Sequence, residues 1–147
     1  VFDLPTTRPF AEKIIRRFNL PDRVAFIPGN FVEDPMDDLL GTYDAVWMSH
    51  ILHGENPDQA REIVRKGANA LKPGGRIFIH EFILNSNMDA PLFPALFSLN
   101  MLAGTDGGQS YSEDQLCDML TDSGIENIER LDFTGPTESG ILAGTRK

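Results

Sequence analysis

Short apolar runs alternate with amphipathic stretches along this chain, and that alternation sets the expected elements. Val1–Leu4 reads as a short buried strand stopped by Pro5. Thr6, Thr7 and Pro9 then give a cap and an early-helix proline, and Phe10, Ile14, Ile15 and Phe18 recur at helical spacing. Arg23–Gly29 reads as a second strand. Residues 30–43 form an acidic loop whose Glu33, Asp34, Asp37 and Asp38 fit no calcium-loop spacing. Tyr43–Ser49 is unbroken and apolar, the pattern of a strand covered on both faces.

The clearest helix follows. Asn56 is placed to cap it, Pro57 takes its first turn, and Gln59 completes a capping box. Ala60, Ile63, Val64, Gly67, Ala68 and Leu71 form one apolar stripe, and Pro73-Gly74-Gly75 ends the helix and turns the chain. Arg76–Leu84 reads as a fourth strand, apolar until His80 and Glu81. Pro91–Leu102 reads as a helix given to core or pocket lining, and Ser112 with Gln115 caps another helix that ends at Gly124. Two last strands, about Asn127–Phe133 and Gly140–Arg146, are joined without a helix and should pair antiparallel at a sheet edge.

Strands alternating with helices through Leu84 imply right-handed crossovers and a parallel sheet. Ligands in such a sheet bind beyond the carboxyl ends of the strands. The polar residues falling there are Asp3, Asn30, Ser49 to His53, and His80 to Glu81. Composition narrows the partners. With 147 residues, 41% apolar, one domain with a real core is expected. A net charge of −9 without a Lys/Arg cluster argues against nucleic acid and against an anionic membrane surface. Cys117 is the sole cysteine, so no intrachain disulfide or thiolate zinc site is available, and it reads as a small buried residue. With no spanning apolar run and no signal-peptide pattern, the chain reads as cytoplasmic. It opens in full strand pattern at Val1, which reads as a fragment.

The segments "FDLP", "PGNF", "SHILH", "ALKPGGRIFIHEFIL" and "NMLAGTDGGQSYS", in that order, resemble the S-adenosylmethionine-dependent O-methyltransferases. This is the family of the plant caffeate and acetylserotonin enzymes and of bacterial small-molecule O-methyltransferases. The resemblance implies an α/β fold: a Rossmann-like class I methyltransferase sheet, mostly parallel, with a C-terminal antiparallel strand pair. It covers less than half of a family member, as a single partial catalytic domain over residues 1–147. The dimerisation domain, first strand and glycine-rich loop of the family are not matched. The expected assembly of the full-length protein is a homodimer, and the expected partner is a small-molecule methyl acceptor. In the family's sheet the unmatched strand lies between Val1–Leu4 and Tyr43–Ser49. The expected remedies are direct re-pairing of those two strands, a strand borrowed from another chain, or an exposed edge. Without the glycine loop, this chain alone is expected to bind S-adenosylmethionine weakly or not at all and to be inactive.

By the same resemblance, Asp3 matches the acid that binds the cofactor ribose, and Asn30 and Phe31 match the position beside adenine, where the family usually has Asp. Ser49 matches a position near the cofactor that is often Lys in plant members. Met101 and Thr105 match positions lining the acceptor pocket. His53 matches the catalytic base and Glu81 the acid that orients it, while His50 falls where an apolar or aromatic residue usually packs. The chemistry suits the types: a phenol or enol is mostly protonated near neutral pH, and a histidine can take that proton. Two departures stand out: "H-G-E" from His53 replaces the common "H-D-W", and Ser110 replaces a second acid.

Metal is not expected, because two histidines need a third ligand and no spacing fixes Glu55 or Glu81 as one. A nicotinamide-dependent oxidoreductase and a non-catalytic binding module remain as alternatives. A structural His53 is the plainer reading beside the base.

Overall fold

The computed structural model describes all residues from Val1 to Lys147, which separate into two compact units, Val1–Met36 and Asp37–Lys147. The first holds β1 (Phe2–Asp3), α1 (Arg8–Arg17) and β2 (Ile27–Pro28), with β1 and β2 paired in parallel. Both strands are shorter than their apolar patterns suggest. Val1–Leu4 is not buried, since Val1 and Leu4 are exposed and Phe2 and Asp3 only half-buried. Helix α1 has the expected spacing, yet Phe10, Ile14 and Phe18 face solvent and none of its residues is buried. Gly29 lets the Phe2 ring pack close: a Cβ there would lie 2.4 Å from that ring and turn it aside.

The second unit contains β3 (Tyr43–Ser49), α2 (Pro57–Ala70), β4 (Leu71–Glu81), α3 (Leu92–Gly104), α4 (Glu113–Asp122), β5 (Ile125–Arg130) and β6 (Gly140–Arg146). Its sheet runs β3-β4-β6-β5, with β3 and β4 parallel and β6 antiparallel to both of its neighbours. The expected antiparallel pair therefore closes one edge. Strand β3 forms the other edge and pairs only with β4, so β1 and β3 do not re-pair. Nor is β3 covered on both faces: Trp47 is 56% exposed.

Both capping boxes form. Asn56 Oδ1 accepts from the Gln59 N–H at 3.0 Å, and Ser112 Oγ accepts from the Gln115 N–H at 3.2 Å. The α2 stripe is buried, and Ile63 and Val64 join Ile77, Ile79, Leu116, Leu120 and Leu142 in the core. Helix α2 stops at Ala70, because Leu71 is already extended and pairs with Tyr43; residues 72–75 then bulge before the register resumes at Ala45–Arg76. Helix α3 departs from expectation: only Pro94 is buried, and Leu92, Leu96, Leu99 and Leu102 are exposed. No helix is long and apolar enough to cross a membrane.

Candidate active site

Parallel pairing of β3 with β4 sets Ser49 opposite His80, so both strands discharge at the same rim. The His50 N–H still bonds the His80 carbonyl at 2.9 Å, after which the chain bends away with His50 at φ 55°. A left-handed conformation in a non-glycine residue costs about 1–3 kcal/mol, so the surrounding contacts must hold it. The turn Leu52–Gly54 follows, anchored by a fully buried Leu52.

Glu81, 3% exposed, ends β4 beneath this turn. Its Oε1 accepts from the Leu52 N–H at 2.9 Å, and its Oε2 accepts from the Phe82 N–H at 3.2 Å. His53 Nδ1 lies 2.8 Å from the same Oε2. Because both oxygens already accept from backbone donors, the carboxylate is the acceptor here too, and His53 carries its proton on Nδ1. Nε2 is left with a lone pair. Phe97 of α3 meets the His53 ring edge-on at 4.9 Å, and Phe82 lies between Phe93 and Phe97 at 5.1 and 4.6 Å. An aromatic wall thus borders the histidine.

His50 reaches the same place. Its Nδ1 is 3.8 Å from Glu81 Oε2, is buried, and has no hydrogen-bond partner. Its ring packs on His80 and Phe82 at 4.4 and 4.5 Å, so the expected packing role is met, but packing leaves that nitrogen unexplained. The carboxylate was the third metal-capable partner that no spacing in the sequence disclosed, and His50, His53 and Glu81 together form a group able to hold an ion.

Burial lowers the His50 pKa from its ordinary 6.5, against the raising pull of Glu81 and with smaller lowering from His80 and His53. The unfolded chain therefore binds more protons than the folded one just below pH 6.5, so stability rises with pH through that window and falls on acidification. Thermal unfolding from pH 5 to 7 should show this slope, and His50→Asn, which tolerates positive φ, should flatten it.

The remaining candidates are placed as follows. Ser49 Oγ sits 3.0 Å from His80 Nδ1, and His80 Nε2 sits 3.0 Å from Ser139 Oγ. Ser139 donates to the Pro136 carbonyl, so His80 Nε2–H donates to Ser139, and Ser49 donates to Nδ1. Thr105 Oγ1 donates to the Met101 carbonyl at 2.8 Å and accepts from Gly108 N–H at 2.9 Å, tying off the end of α3. Met101 stands half-buried on that helix. Ser110, in the place of an acid, is buried and donates to the Pro94 carbonyl at 3.0 Å. In the first unit, Asp3 ends β1 and Asn30 comes just after β2, with the Gly29 N–H bonding the Asp3 carbonyl at 2.9 Å. Asp3 Oδ1 accepts from the Leu4 N–H, and Asn30 Oδ1 from the Val32 N–H, while Phe31 is half-buried. One Asp3 oxygen and a second lone pair on Asn30 Oδ1 still suit the ribose and amine donors of a nucleoside.

The loop after α3 braces the histidine turn. A Cβ on Gly108 would lie 2.5 Å from the His53 carbonyl oxygen and 3.0 Å from the Gly54 carbonyl carbon. Backbone must move to admit it, so Gly108→Ala is expected to cost about 1–3 kcal/mol in urea unfolding. Gly54→Ala meets nothing within 4 Å and should stay within about 0.5 kcal/mol.

Comparison with known proteins shows the family of the chain. A family model described as "O-methyltransferase domain" matches residues 1–126. The chain is 32% identical over 146 residues to 3-hydroxy-5-methyl-1-naphthoate 3-O-methyltransferase of Streptomyces sahachiroi, covering 99% of this chain and 41% of that protein. It is 33% identical over 149 residues to L-tyrosine C(3)-methyltransferase of Streptomyces lavendulae, covering 99% and 40%. The structure of PigF with SAH superposes with a TM-score of 0.84 at 27% identity, covering 99% of this chain and 42% of that one. PigF of Serratia is an S-adenosyl-L-methionine-dependent methyl transferase. The chain thus spans about two fifths of the length of the relatives it matches. It belongs to the O-methyltransferase domain family, whose cofactor is S-adenosylmethionine.

Proposed function

We propose that the protein transfers a methyl group to a hydroxyl of a small aromatic or polyketide-like molecule, with His53 as general base and Glu81 orienting it. The observation that carries this reading is the His53 Nδ1–Glu81 Oε2 contact of 2.8 Å, which leaves Nε2 as the proton acceptor. S-adenosylmethionine, when bound, supplies an electrophilic methyl. The carboxylate stabilises the imidazolium that forms when His53 takes the acceptor's proton. Phe82, Phe93 and Phe97 offer an apolar surface to a flat acceptor, and Met101 extends it along α3. Asp3, Asn30, Phe31 and Ser49 are assigned to the cofactor, Asp3 to its ribose. With Ser49 donating to His80, its oxygen keeps the capacity to accept.

The nicotinamide alternative falls with the family assignment. A second acceptor atom is favoured by one observation, the similarity to an L-tyrosine C(3)-methyltransferase. Removing a phenol's proton also enriches the adjacent ring carbon, so the same base serves both outcomes.

The test is incubation of the full-length protein with labelled S-adenosylmethionine and a panel of phenols, naphthols and enolic polyketides, with products located by NMR. Label on oxygen supports the proposal, and label on carbon moves it to the second reading. Cofactor binding without label transfer to any member supports a non-catalytic module. A homodimer and a cytoplasmic location belong to the same proposal, and sedimentation of the full-length protein checks the first.

A further inference from the structure

We propose that His50, His53 and Glu81 form a binding site for a divalent transition ion of the zinc class. A nitrogen from each imidazole and an oxygen of the carboxylate all lie within 4.8 Å of one another. Bonds of about 2.0–2.2 Å in tetrahedral geometry set neighbouring ligand atoms about 3.4 Å apart. The two contacts to Glu81 Oε2, 2.8 Å from His53 Nδ1 and 3.8 Å from His50 Nδ1, fall on either side of that value. The ligand atoms, up to 4.8 Å apart, draw together by side-chain rotation to admit an ion.

Three further features favour it. The His50 Nδ1 is buried without a hydrogen-bond partner, and it lies 3.8 Å from the same carboxylate oxygen that His53 meets. The carboxylate is held on both oxygens by the Leu52 and Phe82 N–H groups, as ligating carboxylates are when their orientation is fixed. The donor set, two imidazoles and one carboxylate, suits zinc, iron or cobalt and leaves coordination positions open. Neighbouring His80 is excluded, because both its nitrogens are engaged by Ser49 and Ser139.

Coordination has a chemical consequence that rests on the proposed base role. A neutral imidazole bound through Nδ1 must carry its proton on Nε2. Metal binding therefore moves the His53 proton from Nδ1 to Nε2 and removes the lone pair that accepts the substrate proton. The ion and the proton-acceptor role are mutually exclusive at this residue.

Calorimetric titration of zinc chloride into tag-free full-length protein tests the site, with the absorption of Co2+ as a second readout. One equivalent is expected to bind, and His50→Asn is expected to weaken it by roughly tenfold or more. His80→Asn should leave the affinity unchanged. A circular dichroism spectrum confirms that each variant is folded. Absence of one-equivalent binding, or equal affinity in His50→Asn, overturns the metal site and leaves the base reading untouched. One-equivalent binding lost in His50→Asn upholds the site. If turnover then stays undiminished with zinc bound, His53 is not the base.

Discussion

Replacing His53 with alanine is expected to lower turnover in the full-length protein by about 10²–10⁴-fold while leaving cofactor affinity nearly unchanged. The range follows from what the side chain does rather than from where it sits. Its Nδ1–H is committed to Glu81 at 2.8 Å, so the only atom able to take the acceptor's proton is Nε2. Truncation leaves the aromatic wall of Phe82 and Phe97 standing, because those rings contact each other at 4.6 Å independently of the histidine. Acceptor binding should consequently change less than kcat, and the residual rate should recover at high pH, where a phenol ionises without help. Steady-state kcat and KM from pH 6 to 10 provide the measurement. A variant that keeps full turnover at neutral pH would show that the acceptor loses its proton by another route, and would return His53 to a structural role.

Much of this site was legible from local pattern. Tyr43–Ser49 emerged as a strand with the expected bounds, and the two capping boxes formed because each needs only residues three positions apart. His53 and Glu81 were assigned by resemblance, and the parallel register Ser49–His80 is what brings them together. The same register draws His50 toward Glu81, yet that convergence could not be read from "SHILH". It depends on a residue 31 positions away and on His50 adopting φ 55°. Burial was the weaker reading. An apolar stripe reports what a helix would bury, not whether a neighbour covers it: Phe10, Ile14 and Phe18 on α1, and the leucines of α3, keep helical spacing while facing solvent. The partners of Thr105 and Ser110 were not legible either. Both hydroxyls are spent on backbone groups at the ends of α3 and its following loop, a use that only the tertiary path discloses.

Glu81→Ala is expected to destabilise the protein by about 2–5 kcal/mol, more than any other single change at this rim. The carboxylate is 3% exposed and serves three donors at once: the backbone N–H groups of Leu52 and Phe82 and the Nδ1–H of His53. Removing it leaves two backbone donors without partners, one in the histidine turn and one just past the end of β4. The buried Leu52 donor costs about 1–3 kcal/mol when unsatisfied, and the part-buried Phe82 donor adds a smaller share. Glu81→Gln keeps one oxygen for the Leu52 N–H but turns an NH2 toward both the Phe82 N–H and His53 Nδ1, so it should lie between alanine and wild type in stability. Its effect on turnover should be smaller than that of His53→Ala, because the base survives with a disturbed orientation and tautomer. Urea unfolding at constant slope gives the stabilities. A cycle with His53→Ala then separates the histidine's share from the backbone's. If Glu81→Ala costs as much in the His53→Ala background as in the wild type, the backbone donors carry the cost, and Glu81 holds the turn in place whether or not a base stands on it.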